Sequence, residues 1–314
     1  MPEVFAEKSS AFRRSLLALM MLIILAVSVV SANVLVVRAR KRVEAGAKIV
    51  KKLRLLGLEH FYSPGPEIQW YLIKSRKGSI GWLATFHQRL PNGGFIGVKV
   101  ENLPRVYKSY ERWSLNNDAT EGQYSSRIVW ESGKYLDVSI TLSDGIVKVS
   151  RRSISLFRPE IAKAPAKENY LPEGTHLLAV REVAKSKADA QFAMVFNEQP
   201  NFAGVVQFGT VRIKYMNQRK IKGGKVIRVK ETAILLNEKI SHIYEMDEKG
   251  KIIQVRLPEN KRIEACDEKT VLLNFPAAKS YFHQFLPRQL GSESEDEDQE
   301  DIPIIRLIRT IISP

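Results

Sequence analysis

From Ser15 to Val37 the chain carries no charge and is almost wholly apolar or small, fenced by Arg13 and Arg14 before it and by Arg38, Arg40, Lys41 and Arg42 after it. As a helix rising about 1.5 Å per residue, such a run matches the roughly 30 Å hydrocarbon core of a bilayer, so the pattern predicts a transmembrane anchor over 15–37 behind a short tail, 1–14. A signal peptide is the alternative, with Val30-Ser31-Ala32 as its cleavage site. The run continues past that site through Val37, however, and exceeds the roughly 7–15 apolar residues of a signal core, so an uncleaved anchor is expected. Arg13-Arg14-Ser15-Leu16-Leu17 resembles a twin-arginine export signal only faintly, since a basic pair precedes many anchors.

Beyond Arg38 basic and apolar positions alternate, with Val43, Ala47 and Val50, then Ile49, Leu53 and Leu56, at helical spacing and Gly57 placed to stop the helix. This predicts a basic juxtamembrane helix within 38–60. Its face of Arg38, Lys41, Arg42, Lys48, Lys51 and Lys52 would lie against anionic headgroups or remain solvated.

From Trp70 the period changes to two, the signature of antiparallel strands. Strands are expected at 70–74, 80–88, 88–90, 95–101, 109–115, 126–131, 135–142 and 146–150, with turns at Pro91-Asn92-Gly93-Gly94, Ser132-Gly133-Lys134 and Ser143-Asp144-Gly145. Between Phe157 and Glu173 the prolines Pro159, Pro165 and Pro172 argue for a crossover. Thr175 then reads as the N-cap of a short helix carrying Leu177, Val180, Val183 and Ala184. Strands resume at 191–196, 204–208, 211–217, 225–236, 240–246, 252–257, 262–265 and 271–275, with the clearest turn at Asp247-Glu248-Lys249-Gly250. The expected fold is mainly β: a large antiparallel curved sheet, or a two-sheet body, with one crossover helix, preceded by the membrane helix. Its domain spans 61–276. A connecting segment, 277–291, an acidic disordered linker, 292–301, and an apolar docking segment, 302–314, complete the chain.

Charge changes the picture at three places. Over 314 residues, 49 Lys and Arg outweigh 34 Asp and Glu, which favours anionic partners without bearing on fold. Three basic residues precede the anchor (Lys8, Arg13, Arg14) and eight follow it up to Arg54, which by the positive-inside rule would place the β domain in the cytoplasm; long domains escape that rule. Arg212, Lys214, Arg219, Lys220, Lys222, Lys225, Arg228 and Lys230 form a basic hairpin around Gly223-Gly224, either a contact for an anionic partner or a lysine-rich edge that blocks aggregation. Nucleic acid is not an expected partner, because only Tyr215 offers a stacking surface among these bases. Finally, Ile304, Ile305, Ile308, Ile311 and Ile312 fall on one side of a C-terminal helix too short to span a bilayer, a docking segment for its own domain, a partner or lipid.

Trp70-Tyr71, Ile80-Gly81-Trp82, Thr85-Phe86, Tyr135-Leu136-Asp137-Val138, Leu171-Pro172-Glu173-Gly174, the stretch Ile243-Tyr244-Glu245-Met246-Asp247-Glu248-Lys249-Gly250-Lys251 and Phe275-Pro276 together resemble an exported bacterial β-rich envelope module. That module occurs alone or before transglutaminase-like domains and is loosely similar to lipoprotein-carrier folds. The resemblance covers Trp70 to Pro276 and implies an envelope location with a noncatalytic binding or structural role. The chain departs from the two-domain form in having no transglutaminase part after the module, so that activity is not expected.

Catalytic and metal signatures are missing from the pattern. His60, His87, His176, His242 and His283 stand far apart, with no pair at metal-ligand spacing, and no nucleophile elbow, phosphate loop or dinucleotide fingerprint occurs. The single cysteine, Cys266, excludes an internal disulfide, and its acidic neighbour would raise its pKa. No cofactor and no metal are expected. The expected protein is therefore a single-pass bacterial inner-membrane protein, its β domain periplasmic (alternatively cytoplasmic), binding a protein, lipid or envelope polymer. Two rival functions are kept: a lipid or lipoprotein carrier or envelope-stress sensor, which needs an apolar cavity, and an enzyme built on Asp137, Asp144 or His242, which needs those groups in one cleft.

Overall fold

The computed structural model describes residues 3–154, 158–197, 204–221, 224–235 and 238–287, with side chains described from position 20 onward except at 235 and 238. A single helix, α1 (Glu3–Leu56), runs without a break from within the expected tail through the expected anchor and most of the expected juxtamembrane segment. It stops where Gly57 adopts φ 72°, a backbone state that costs glycine little, and the Gly57 amide returns to the Leu53 carbonyl at 3.0 Å.

Eight strands follow: β1 (Glu67–Ser75), β2 (Gly78–Arg89), β3 (Phe95–Leu103), β4 (Tyr107–Leu115), β5 (Gly122–Trp130), β6 (Tyr135–Ser143), β7 (Ile146–Ser153) and β8 (Glu160–Pro165). After α2 (His176–Ser186) come β9 (Asp189–Met194), β10 (Gly209–Ile221), β11 (Gly224–Leu235), β12 (Glu238–Met246), β13 (Ile252–Arg256) and β14 (Arg262–Cys266), then α3 (Glu268–Asn274) and α4 (Ala278–His283). All 14 strands lie in one sheet, ordered β8-β7-β6-β5-β4-β3-β2-β1-β14-β13-β12-β11-β10-β9. Every paired neighbour is antiparallel and, except for β1 with β14, consecutive in the chain, which is what short turns of high Gly and Asp content produce. At the Asp247–Gly250 turn, for example, the Asp247 carboxylate accepts the Lys249 and Lys251 amides at 2.9 and 2.8 Å.

The sheet curls without closing. Its edge strands β8 and β9 do not pair; instead the Lys163 amide donates to the Gly204 carbonyl at 3.0 Å, and the Leu171 amide donates to the Ala193 carbonyl at 2.9 Å. The last turns of α1 lie along the free edge of β9, so close that a Cβ at Gly46 would sit 2.9 Å from the Gln191 carbonyl carbon and closer still to its oxygen. A helix laid over an open strand edge removes a site of unwanted pairing.

Two cores result. Inside the curl, alternate residues such as Tyr71, Ile73, Val138, Ile140, Val149, Phe192 and Ile213 pack on Leu178 and Val183 of α2 and on Ile49, Val50 and Leu53 of α1. Outside, Trp70, Leu72, Trp82, Phe86, Val98 and Val100 of β1–β3 pack on Val271 of α3 and Phe282 of α4. Because β2 is covered on both faces, its middle six residues are all buried, a departure from the alternation of a one-faced strand.

Several expectations change. Residues 271–275 are helical and not a strand: Asp267 caps α3 by accepting the Thr270 amide at 2.7 Å, and Val271, Leu272 and Phe275 then fall on the side facing the sheet. The proline-rich crossover contains β8, with Pro165 tolerated at the end of an edge strand. Residues 204–208 make only an isolated bridge through Val205. The stretch read as a connecting segment holds α4, whose Phe282 meets Trp70 at 5.1 Å between ring centroids and is fully buried. The acidic linker and Ile304, Ile305, Ile308, Ile311 and Ile312 lie outside the described residues.

Candidate functional site

The inward-facing residues change character along the lumen. Toward the β2–β3 and β4–β5 turns they are apolar, with Phe95, Trp113, Leu115 and Tyr124 on the inner core. Toward the β3–β4 turn the same parity carries Lys99 and Glu101 on β3, Tyr107, Ser109 and Glu111 on β4, and Ser126, Ile128 and Trp130 on β5. Register explains the grouping: Lys99 pairs with Glu111, Glu101 with Ser109, Ser109 with Ile128 and Tyr107 with Trp130. Glu101, Tyr107, Ser109, Glu111, Ile128, Trp130 and Asn197 line a cavity of about 270 Å³.

Within it the Lys99 ammonium donates to Glu111 at 2.7 Å and stands 3.9 Å from Glu101, whose carboxylate also accepts the Tyr107 hydroxyl at 2.5 Å. The Asn197 amide nitrogen donates to the Ser126 and Tyr124 hydroxyl oxygens at 3.0 and 3.2 Å. Ser109 is only 7% exposed, and its hydroxyl has no hydrogen-bond partner among the described residues.

Across the lumen, His176 at the start of α2 and Glu231 on β11 form a 2.7 Å ion pair. Burial alone would push the histidine down and the carboxyl up, but each holds the other charged, so His176 is raised and Glu231 lowered from their ordinary values. His242, which faces the same pair from β12, is lowered by burial. Deeper in, burial raises Glu173 to about 7, and the Tyr170 hydroxyl lies 3.0 Å from it. Burial, aided by Arg181, lowers His87 to about 4, and its ring stacks on Tyr62 at 5.2 Å.

The basic hairpin is only partly free. Arg228 meets Glu245 at 3.3 Å and Lys225 meets Glu248 at 3.2 Å, acids supplied by β12 and its turn that the linear run did not reveal. Arg212, Lys214, Arg219, Lys220 and Lys230 lie on the same two strands, where Lys214 and Lys230 stand directly opposite one another. Lys222 lies outside the described residues. The groups named for an enzyme do not converge: Asp137 faces Arg127 at 3.3 Å on β6, Asp144 is exposed in the turn at the far end of that strand, and His242 is on β12. Cys266 is a free, half-buried thiol raised by burial and by Asp267. Among the described residues no cluster of His, Cys, Asp and Glu fits a metal ion. Within the curl, α2 and the end of α1 pack against the inner face of the sheet.

Sequence reading missed the polar end of the lumen because its members are spread from Lys99 to Asn197. The available signal was parity: Phe95, Gly97, Lys99 and Glu101 are spaced by two, so an inward Phe95 carries a lysine and a glutamate inward with it.

Outside this body, Met20–Leu56 of α1 is long and apolar enough to cross a membrane, and its most apolar stretch is not buried against the rest of the chain. No family model matches the chain. No curated protein matches it. Among solved structures, the crystal structure of a beta-barrel-like protein of a domain of unknown function, DUF1849, from Brucella abortus is similar, with 10% identity and a TM-score of 0.44 over 64% of this chain and 93% of that one.

Proposed function

We propose that the chain is a single-pass protein of the bacterial inner membrane whose β domain, on the periplasmic side, binds a partner at the polar end of its lumen and performs no covalent chemistry. The observation that carries this reading is the continuity of α1: the segment suited to lipid runs without a break into Ile49, Val50 and Leu53 of the inner core. Anchor and domain are thereby one body, with Arg38, Arg40 and Lys41 exposed where the helix would leave the hydrocarbon. Lys52 ties the two further through its ion pair with the buried Glu182 of α2. The envelope location rests on the resemblance noted from the sequence, and the binding role on the polar cavity at one end of the lumen.

Protease added to intact spheroplasts tests the topology. Digestion of the β domain before lysis is expected; protection until the membrane is broken would overturn the periplasmic orientation.

A further inference from the structure

The cavity at the polar end of the lumen is built for a ligand that is neutral and rich in hydroxyl groups. Two carboxylates, Glu101 and Glu111, stand in its wall, and one ammonium, Lys99, reaches toward both. A cationic ligand would have to displace the Lys99 ammonium from Glu111, and an anionic one would face two carboxylates. Neutral hydroxyls meet neither obstacle. Each carboxylate has about four lone-pair sites, and Tyr107 and Lys99 occupy a minority of them, so acceptor capacity remains for ligand O–H groups.

Ser109 supplies the second, independent indication. Its side chain is more than nine-tenths buried, lines the cavity and has no partner among the described residues. Its hydroxyl opens on the cavity, where a ligand oxygen can pair with it. Asn197 adds an acceptor, because its amide nitrogen is engaged with Ser126 and Tyr124 while its carbonyl oxygen has no partner among the described residues. Tyr107 and Trp130, directly opposite each other on β4 and β5, contribute broad apolar surfaces beside these polar groups. At about 270 Å³ the cavity lies just under the roughly 300–1,000 Å³ of drug-sized sites, so it suits one ring and not a lipid chain.

We propose that this site binds a neutral polyhydroxylated ligand of the pyranose-sugar class, its C–H face on Trp130 and Tyr107 and its hydroxyls among Glu101, Glu111, Ser109 and Asn197. The proposal names the ligand class for the binding role proposed above and rests on that role. Envelope glycans present such rings at a membrane surface.

Full-length protein in lipid nanodiscs free of sugar detergents is titrated with methyl β-glucopyranoside and with N-acetylglucosamine, followed by saturation-transfer NMR. Saturable binding of at least one sugar near about 1 mM is expected, weakened at least tenfold, about 1.4 kcal/mol, by Trp130→Ala and by Ser109→Ala. Ser109→Ala removes one oxygen and keeps the fold measurable where Trp130→Ala loses it. Leu273→Ser, on the outer face of α3, serves as a control expected to leave binding unchanged. Absence of saturable binding for both sugars, or binding that neither lumen substitution changes, overturns the proposal. So does tighter binding of tetramethylammonium at the same site, which would mark a cation pocket. If the sugars fail while spheroplast digestion exposes the β domain, only the ligand class falls; if the domain is instead protected, the envelope reading falls with it.

Discussion

Replacing Gly46 by alanine sets two effects of opposite sign against each other. In an isolated helix interior Ala is favoured over Gly by about 0.8–1.0 kcal/mol, so a helix that merely passed by the domain would gain stability. In the docked helix the new Cβ would lie 2.9 Å from the Gln191 carbonyl carbon, where ordinary carbon contacts are roughly 3.5–4.0 Å, so α1 and β9 must part by about 1 Å. Overpacking of that kind costs about 1–3 kcal/mol. The upper bound is set by losing the docking altogether: Ile49, Val50 and Leu53 are all buried, and re-exposing three such side chains would cost roughly 5–9 kcal/mol. Partial parting should win over propensity, leaving Gly46→Ala destabilised by up to about 2 kcal/mol, or up to about 8 °C in Tm for a domain of this size. Urea unfolding of the full chain in nanodiscs, followed by the fluorescence of Trp70, Trp82, Trp113 and Trp130, reports on the β domain alone. An increase in stability of about 1 kcal/mol would refute the tight approach of α1 to β9.

Three further substitutions probe the cores and the edge. Glu173 is raised to about 7, so between about pH 4.5 and 7 the folded state keeps a proton that the unfolded state has released, and stability falls as pH rises, by about 3 kcal/mol in total. His87, lowered to about 4, acts in the opposite sense between about pH 4 and 6.5, because the unfolded state takes up the proton and stability rises with pH. Glu173→Gln should therefore give a stability that climbs relative to wild type by roughly 1.4 kcal/mol per pH unit across that window, and parallel pH profiles would contradict the buried protonated carboxyl. Phe282→Ala should cost about 3–5 kcal/mol by denaturant unfolding, since the side chain is fully buried against Trp70; a loss under about 1 kcal/mol would detach α4 from the domain. Lys230→Glu should stabilise by about 0.2–1 kcal/mol by replacing a like-charge pair with an ion pair to Lys214, since Ile243 is its other cross-strand neighbour, and an unchanged or lower midpoint would count against the register of β10 and β11.

Much of the architecture was legible because it is local. The charge-free run before Arg38, the helix stop at Gly57, the Asn92-Gly93 and Asp247–Gly250 turns and the period-two segments between them fix one membrane-suited helix and a long antiparallel meander. The pairing of β14 with β1 was not legible, since it joins positions nearly two hundred residues apart and depends on the curl of the whole sheet. Val271–Phe275 resembled a strand because five residues are too few for periodicity to separate strand from helix, whereas the Asp267 cap was the better guide. The burial of all six residues Gly81–Phe86, covered by α3 and α4 on the outer face, departs from the period-two reading of that strand. The candidate site depended on register, since Lys99, Glu111 and Trp130 meet only once three strands are aligned.

Alkaline carbonate extraction of membranes containing the full-length chain bears most directly on α1 as an anchor built into the β domain. The account predicts that the intact polypeptide, residues 1–40 included, stays in the membrane pellet together with its folded β domain. Release of the intact chain into the supernatant would contradict it.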